Sequence, residues 1–590
     1  MHYKIFNILL LCFILLNCSK IEKETPEISQ EFLVDSLKAT NTSFNEWFSK
    51  VDDQISVDDD YYFEKDIYQV VDNVYVAIGY GLANSILIVG DGSNIIIDVT
   101  ESDVLAAEIR ERFEEISDQP IEAIFYTHSH VDHWRGAFPF VDKNTEIYAH
   151  ETFQKGFYDQ NNLLKPILTK RGMKQFGFFL PKELQRGHGL GFTLDFDFEQ
   201  PPVVYPTVLL EGKKNILTIA GVTLEVVHSP GETDDQIIIY YKDKEIVFSG
   251  DNYYMRCPNL YTIRGTSYRD TYKWYKSVDE MRAYNPTYLV SSHGPFLSNK
   301  KEVQDRLTIY RDAIQYVHDY AIRGANKGKT PDELVEEFEY PKFFKENFDL
   351  REQYGKVSWS IRNVYNGYLG FFDGKAVNLE PLSTKVRSKN IFKIIGSKDN
   401  LLTLINEALE NKEFQWAAEL RQIGTINFPN DNEIRNLYSL SLEELSKKET
   451  NPIARNYYLS EAYEINERII PDLTFSLTED QIRQIPIETI FEAMPPRLNP
   501  AKANNKFITV GFDMSDTGEK FGIIIRNNIA EIVHYIPENA EIIVTVETST
   551  WKGLIMGITD AKSAITSGKL SVSGNYLKFI QFSTMFQKDY

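Results

Sequence analysis

Residues Thr127–Gly136 read THSHVDHWRG. The chain has ten histidines in 590 residues, and three of them fall here, interleaved with Ser129 and Asp132. The run before them, IEAIFYT (121–127), has the composition of a buried strand, so the cluster lies in the loop at that strand's C-terminal end. His128 and His130, one residue apart, can turn two imidazoles to the same side. Asp132 and His133 come from the following turn and can face a neighbouring position. Imidazole and carboxylate at this density suit borderline divalent cations such as zinc, and the two sub-clusters predict two ions. A solvated loop with accidental histidines is the competing reading. It does not account for H-x-H-x-D-H placed directly after a β-run.

Outward from this loop the sequence alternates strand and helix. VYVAIG, SILIVG and NIIIDVT precede a helical ESDVLAAEIRERFEEI; VTLEVVHS, QIIIYY, EIVFSG and TYLVSSHG follow the histidine loop. This predicts an α/β domain over 67–300. KEVQDRLTIYRDAIQYVHDYAIRG, NLLTLINEALENKEFQWAAELRQIGTI and NPIARNYYLSEAYEINERII space their apolar residues by three and four, which predicts an all-α domain over 301–470. From Thr478 to the end, EDQIRQIPIETIFEAM leads into FITVGFDM, FGIIIRN, IAEIVHYI and EIIVTVET, the pattern of a small α+β domain over 478–590.

Composition sets the outer limits. Apolar residues make up 43% and charged residues 25%, the values of a globular chain rather than a disordered one. The formal charge of −22 repels phosphate backbones, and no Lys/Arg cluster offsets it, so no nucleic-acid partner is expected. At the N-terminus, MHYKIFNILLLCFILLNCSK has Lys4 and then an apolar run to Leu16 that is too short to span a bilayer, the form of a secretory signal over 1–18. LLNC followed by SKIEKE resembles a lipoprotein signal, which makes Cys18 the lipidated residue. A polar tether then occupies 19–66. The protein is expected to be exported to the periplasm or cell envelope, with membrane contact through that lipid anchor. Only Cys18 and Cys257 remain after such processing, so disulfides are not expected to hold the fold.

T-H-S-H-V-D-H resembles the motif of the metallo-β-lactamase superfamily, and NIIIDVT, with Asp98 closing a strand, resembles that fold's earlier motif. The resemblance implies a four-layered αββα sandwich with metal ligands at strand ends. Three further ligands then stand in the expected order: Glu232 in HSPGETDDQ, Asp251 in FSGDN and His293 in LVSSHGPF. Glu232 replaces the usual histidine, and in this the chain resembles the alkylsulfatases. CPNLYTIRGTSYRD is similar to their sulfate-binding segment, which implies Asn259 and Arg264 on the substrate. YGKVSWSIRNVYNGYLGFFDGKAVNL and EFQWAAELRQ resemble their helical dimerisation domain, and FITVGFDM with SGKLSVSGNY their sterol-carrier-like C-terminal domain.

The resemblance implies two Zn2+ per subunit. The first takes His128, His130 and Glu232, the second Asp132, His133 and His293, and Asp251 bridges them. Two ions sharing a solvent oxygen stabilise hydroxide near neutral pH; Asp132 and Asp251, beside that oxygen, are the candidate catalytic carboxylates. The expected reaction is hydrolysis of a long-chain alkyl sulfate ester to an alcohol and inorganic sulfate by a homodimer. The alternatives are another esterase or phosphoesterase on the same fold, or a non-catalytic lipid-binding surface lipoprotein. NYYM (252–255) and KQFGFFLP (174–181) are candidates for an alkyl entry slot or for ordinary core. His228, His150, His188, His318 and His534 are expected to be structural.

Overall fold

The computed structural model describes residues 65–158, 164–185, 187–190, 203–467, 485–555 and 557–586. The expected signal, Cys18 and nearly all of the tether lie outside the described residues.

A seven-stranded sheet comes first, its strands in chain order: β1 (Asp66–Val71), β2 (Val74–Ile78), β3 (Ser85–Val89), β4 (Asn94–Ile97), β5 (Ile121–Phe125), β6 (Glu146–His150) and β7 (Val208–Leu210). The first four pair antiparallel and the last four parallel. β4, NIII, is buried at all four positions, because a central strand covered on both faces has no polar side to alternate. Helix Asp103–Glu114 returns the chain from β4 to β5 and lays Ala106, Ile109 and Phe113 against Leu87, Ile96, Ile124 and Ile147.

A five-stranded sheet follows, ordered β12-β11-β10-β9-β8, from β8 (Lys214–Ile219), β9 (Val222–His228), β10 (Ile237–Tyr241), β11 (Ile246–Phe248) and β12 (Tyr288–Val290). Main-chain bonds join the two sheets at one end. Ile237 N–H donates to Thr127 O (2.9 Å), and Asn84 N–H to Ser292 O (2.7 Å). The Asn84 amide also donates to the carbonyls of Ser291 and Gly294. The loops carrying the histidines are thereby fixed to each other before any side chain of the cluster is considered.

Helix Lys300–Asn326, 27 residues capped by the Asn299 carboxamide, leads into the helical region. Beyond it, Lys398–Glu410, Phe414–Asn427, Asn432–Lys448 and Pro452–Ile465 each pack on the next, around Leu401, Ile405, Ala417, Leu420 and Ile434. The last of these returns to helix Lys165–Gln175 of the α/β region, where Lys174 pairs with Glu464 and Asn456 donates to Gly187 O (3.2 Å). The C-terminal region is a five-stranded sheet, β15-β14-β13-β16-β17, from β13 (Ile508–Met514), β14 (Lys520–Arg526), β15 (Ile529–Val533), β16 (Ile542–Val546) and β17 (Leu570–Gly574). Phe491, Phe512, Trp551 and Phe582 fill its core. Among the described residues no helix is long and apolar enough to cross a membrane.

Four of the histidines outside the main loop are packing elements. His150 and His228 stack at 3.6 Å, and His318 lies between Asp319 and the Tyr368 hydroxyl. His188 is buried against the edges of Phe176 and Phe178, and burial pushes its pKa down to about 4. It therefore stays neutral in the fold while the unfolded chain takes up a proton below its ordinary value, so stability falls as pH drops from 6.5 towards 4. The full shift corresponds to about 3 kcal/mol. A His188→Gln variant should lose that part of the acid dependence, measured as the difference in urea midpoint between pH 7 and pH 4.5. An unchanged difference would contradict this account.

Candidate metal centre

Every sequence-predicted ligand follows a strand. Thr127–His133 follows β5, Glu232 lies just beyond β9, Asp251 just beyond β11 and His293 just beyond β12. Strand C-termini open into a crevice where several loops meet, the usual place for a site in α/β sheets. Two glycines make room for it. Gly250 has φ +53°, and a Cβ there would lie 2.1 Å from Gln236 Nε2. A Cβ on Gly231 would lie 2.1 Å from Asn252 Oδ1, the oxygen that accepts the Glu232 N–H (3.1 Å).

The histidines converge. His128 Nε2 and His130 Nδ1 are 2.8 Å apart, and Asp251 Oδ2 is 3.7 Å from the former. His133 Nε2 lies 3.5 Å from both Asp132 Oδ2 and Asp251 Oδ2, and His293 Nε2 lies 3.5 Å from Asp132 Oδ2 and 3.2 Å from Asp251 Oδ1. Two triads therefore have ligand atoms within 4.8 Å of one another: His128, His130 and Asp251, and Asp132, His133 and His293. Asp251 touches both. Glu232 stands at the edge of the first triad, its Oε1 3.9 Å from His130 Nδ1.

Hydrogen bonds behind the rings set their tautomers. Thr127 Oγ1 donates to Asp98 Oδ2 (2.9 Å), so towards His128 Nδ1 it can only accept (3.1 Å). His133 Nδ1–H donates to Asp98 Oδ2 (2.8 Å) and His293 Nδ1–H to Leu82 O (2.8 Å). All three Nε2 lone pairs then face inward, as metal-binding imidazoles require. Asp98 and Thr100 both hold left-handed backbone, at φ 56° and 59°. For the β-branched Thr100 this is an unfavourable conformation, retained where the chain bends around the site.

The charges need cations. Asp98, Asp132, Glu232 and Asp251 are all buried here. Burial disfavours charge on His133, but Asp251, Asp132 and Asp98 outweigh it and hold its pKa well above the ordinary range. Against the same burial, chiefly Asp251 lifts His293 to about 9. Imidazolium protons balance the carboxylates in the metal-free protein, and divalent cations would displace them. Four buried atoms of the nest, His130 Nε2, His133 Nε2, Glu232 Oε2 and Asp251 Oδ1, have no hydrogen-bond partner. Orphaned acceptors and inward lone pairs of N and O type fit two borderline divalent ions.

Of the two predicted substrate residues, Asn259 is fully buried and both its side-chain atoms are unpaired. Arg264 is half-buried, with Nη1 donating to Thr262 Oγ1 (2.9 Å); burial above all, and then the charges of Arg264 and Arg269, hold the His130 pKa well below the ordinary range. Sequence reasoning missed Arg269. It is 2% exposed, and its Nη1 donates to Glu232 Oε1 (2.5 Å) and to Asn259 O (2.7 Å), while Nε and Nη2 have no partner. A rule could have found it: a carboxylate buried as deeply as Glu232 needs a cationic neighbour, and Arg269 is the other arginine of the 257–270 segment. Trp134, large where the turn leaves little room, anchors the loop by donating from Nε1 to Ser129 O (3.0 Å) and meeting Phe157 edge-on. The candidate slot residues Tyr253 and Tyr254 are buried framework: their hydroxyls bond to Asp349 and to the Asn259 N–H.

Comparison with known proteins places this geometry. Residues 78–293 match the metallo-β-lactamase superfamily, 330–468 match alkyl sulfatase dimerisation, and 476–589 match the alkyl sulfatase C-terminal region. The chain is 30% identical to a linear primary-alkylsulfatase of Pseudomonas sp. (strain ATCC 19151) over 509 residues, covering 83% of this chain and 96% of that one. It is 26% identical over 530 residues to an (R)-specific secondary-alkylsulfatase of Pseudomonas sp., covering 88% and 80%. The solved structure of a stereoselective inverting sec-alkylsulfatase from Pseudomonas sp. superposes with a TM-score of 0.81 at 24% identity, over 89% of this chain and 85% of that one, and so shares its fold. With a metal-ligand nest at the strand ends of that fold and an extended match to a relative along almost its whole length, the chain belongs to the alkylsulfatases of the metallo-β-lactamase superfamily.

Proposed function

We propose that this protein is an exported, two-zinc hydrolase that cleaves long-chain alkyl sulfate esters to an alcohol and inorganic sulfate. The observation that carries the reading is the pairing of the ligand nest with unpaired, buried donors on Arg269 and Asn259. When bound, the ions would supply Lewis acidity, lowering the pKa of water and drawing off developing negative charge. His128, His130 and Glu232 would hold one, Asp132, His133 and His293 the other, with Asp251 between.

The chain's own residues do the rest. Arg269 spends Nη1 on Glu232 and keeps Nε and Nη2, the two-pronged edge of a guanidinium that matches an oxyanion. Asn259 adds a neutral donor, and Arg264 a second positive charge. Glu232 in place of a neutral imidazole adds one negative charge to the site. That suits a sulfate monoester, a monoanion, better than a phosphate monoester, which approaches a dianion near neutral pH.

The helical region supports a homodimer. Its segment 368–394 exposes Phe371 by 84%, Val377 by 80% and Ile394 by 86%, apolar side chains that a second subunit would cover. The cell-envelope location and the lipid on Cys18 rest on the N-terminal sequence alone.

The reading is tested by giving zinc-loaded enzyme dodecyl sulfate and dodecyl phosphate in parallel, with and without chelator, in 18O-labelled water. Label in the alcohol marks attack at carbon, and label in sulfate marks attack at sulfur. Turnover of the phosphate alone, or turnover that survives complete zinc removal, would sink it.

Two variants follow from the geometry. Asp98→Ala frees the His133 ring and should weaken zinc binding by about 10–100-fold in a competitive chelator titration. Arg269→Lys keeps a charge beside Glu232 but loses the fork, and should cost about 2 kcal/mol, roughly 30-fold, in kcat/KM while zinc content holds at two per chain.

A further inference from the structure

Gln175 ends helix Lys165–Gln175 and is fully buried. Its Oε1 accepts from Thr262 Oγ1 (2.9 Å) and from the Arg264 N–H (2.8 Å). Thr262 Oγ1 in turn accepts from Arg264 Nη1 (2.9 Å). One carboxamide oxygen thus fixes both the backbone and, through a threonine, the guanidinium of Arg264. The orientation of the amide is not arbitrary, because a backbone N–H can be met only by an acceptor; the nitrogen must face the other way. That nitrogen carries two donors, is buried, and has no partner.

Gln175 cannot withdraw to satisfy itself. Its neighbour Lys174 pairs with Glu464, the Lys174 carbonyl accepts from Ser460 Oγ (3.4 Å), and a Cβ on Gly177 would already touch the Asn456 side chain at 3.0 Å. The helix end is pinned to helix Pro452–Ile465. The same loop, Asn259–Arg269, carries further unpaired donors, Asn259 Nδ2 and Arg269 Nε and Nη2. Buried donors left open around one loop are what a multi-oxygen anion would close.

We propose that Gln175 is a substrate-positioning residue: Oε1 holds Arg264 in place, and Nε2 donates to an oxygen of the sulfate head group. This rests on the sulfate-ester reading above and adds a contact that no charged residue supplies. The neutral amide binds the head without altering the net charge of the site.

The test uses zinc-loaded full-length protein with two variants. Gln175→Glu keeps an oxygen for Thr262 and the Arg264 N–H but turns the donor into an acceptor; Gln175→Met loses both ends. For Gln175→Glu the expected result is a rise of about 30-fold in KM for alkyl sulfates, with kcat less affected and the melting temperature essentially retained. Calorimetry should show inorganic sulfate binding weakened by a similar factor. The factor should be the same for octyl and dodecyl sulfate, since the contact is to the head group. A factor that grows with chain length would move Gln175 to an alkyl slot and overturn the proposal. So would a Gln175→Glu enzyme with wild-type KM and sulfate affinity while Gln175→Met is impaired, which would leave Gln175 a loop anchor only. If wild-type protein binds sulfate, and Gln175→Glu does not, but neither hydrolyses alkyl sulfates, the parent reading fails and the Gln175 contact stands. A wild type that neither binds sulfate nor turns over its esters overturns both.

Discussion

The site depends on a single carboxylate that need not touch the reaction. Asp98 takes four hydrogens: the Thr127 N–H and O–H, the His133 Nδ1–H and the Ser292 Oγ–H. These donors come from the loops after β5 and β12, one in each sheet, and Asp98 itself closes β4. Hydrogen bonds to a buried charge are among the stronger ones available to a protein, and losing one partner leaves the charge exposed to its full desolvation penalty. The left-handed backbone of Asp98 and Thr100 is tolerated because this network over-determines it. A sheet interface and a ligand geometry are secured by the same residue.

The second constraint is charge. The site buries more carboxylate than its single buried arginine, Arg269, can neutralise, so protons on histidines or bound cations must make up the difference. Glu232 is the residue on which the balance turns. One oxygen is held by Arg269 while the other is unpaired, so the glutamate joins the ligand nest to the Asn259–Arg269 loop through a single side chain. A charge placed in the first triad and a charge placed beside Arg269 would therefore act on each other through Glu232. An imidazole in that position could ligate a cation through one nitrogen, but its other nitrogen would carry a hydrogen and could not accept from Arg269.

How much of this was legible in the sequence follows from how local each feature is. Thr127–His133 could be read directly because its ligands lie within six residues and follow a strand whose end is plain from composition. Asp251 and His293 were legible as strand-end residues only once the family pattern supplied their order. Arg269 and Gln175 were not, because what marks them is burial and contact across the chain: Gln175 reaches Thr262 and Arg264, 87 and 89 residues away. No periodicity encodes an unpaired donor. The aromatic runs gave the opposite difficulty. Tyr253 and Tyr254 have the composition of a slot and the burial of a core, and only their hydroxyl partners decide between the two.

The helical region then has a role beyond any self-association. Helix Pro452–Ile465 is nearly 300 residues from helix Lys165–Gln175 in sequence, yet Asn456, Ser460 and Glu464 grip its end and the glycine turn that follows. Tyr354 and Gly355, from the link between regions, are held by the Asn451 amide (3.1 Å and 3.5 Å), and the Gly355 N–H donates to Cys257 O (2.9 Å) at the start of the loop carrying Asn259 and Arg269. Long side chains such as arginine lose much freedom when fixed, and a gripping site gains if that cost is met before substrate arrives. The helices meet it. They brace, from outside the sandwich, the loop in which Arg264 and Arg269 sit, so the α/β region provides the histidine and carboxylate nest while the rigidity of the loop beside it is borrowed from the region that follows.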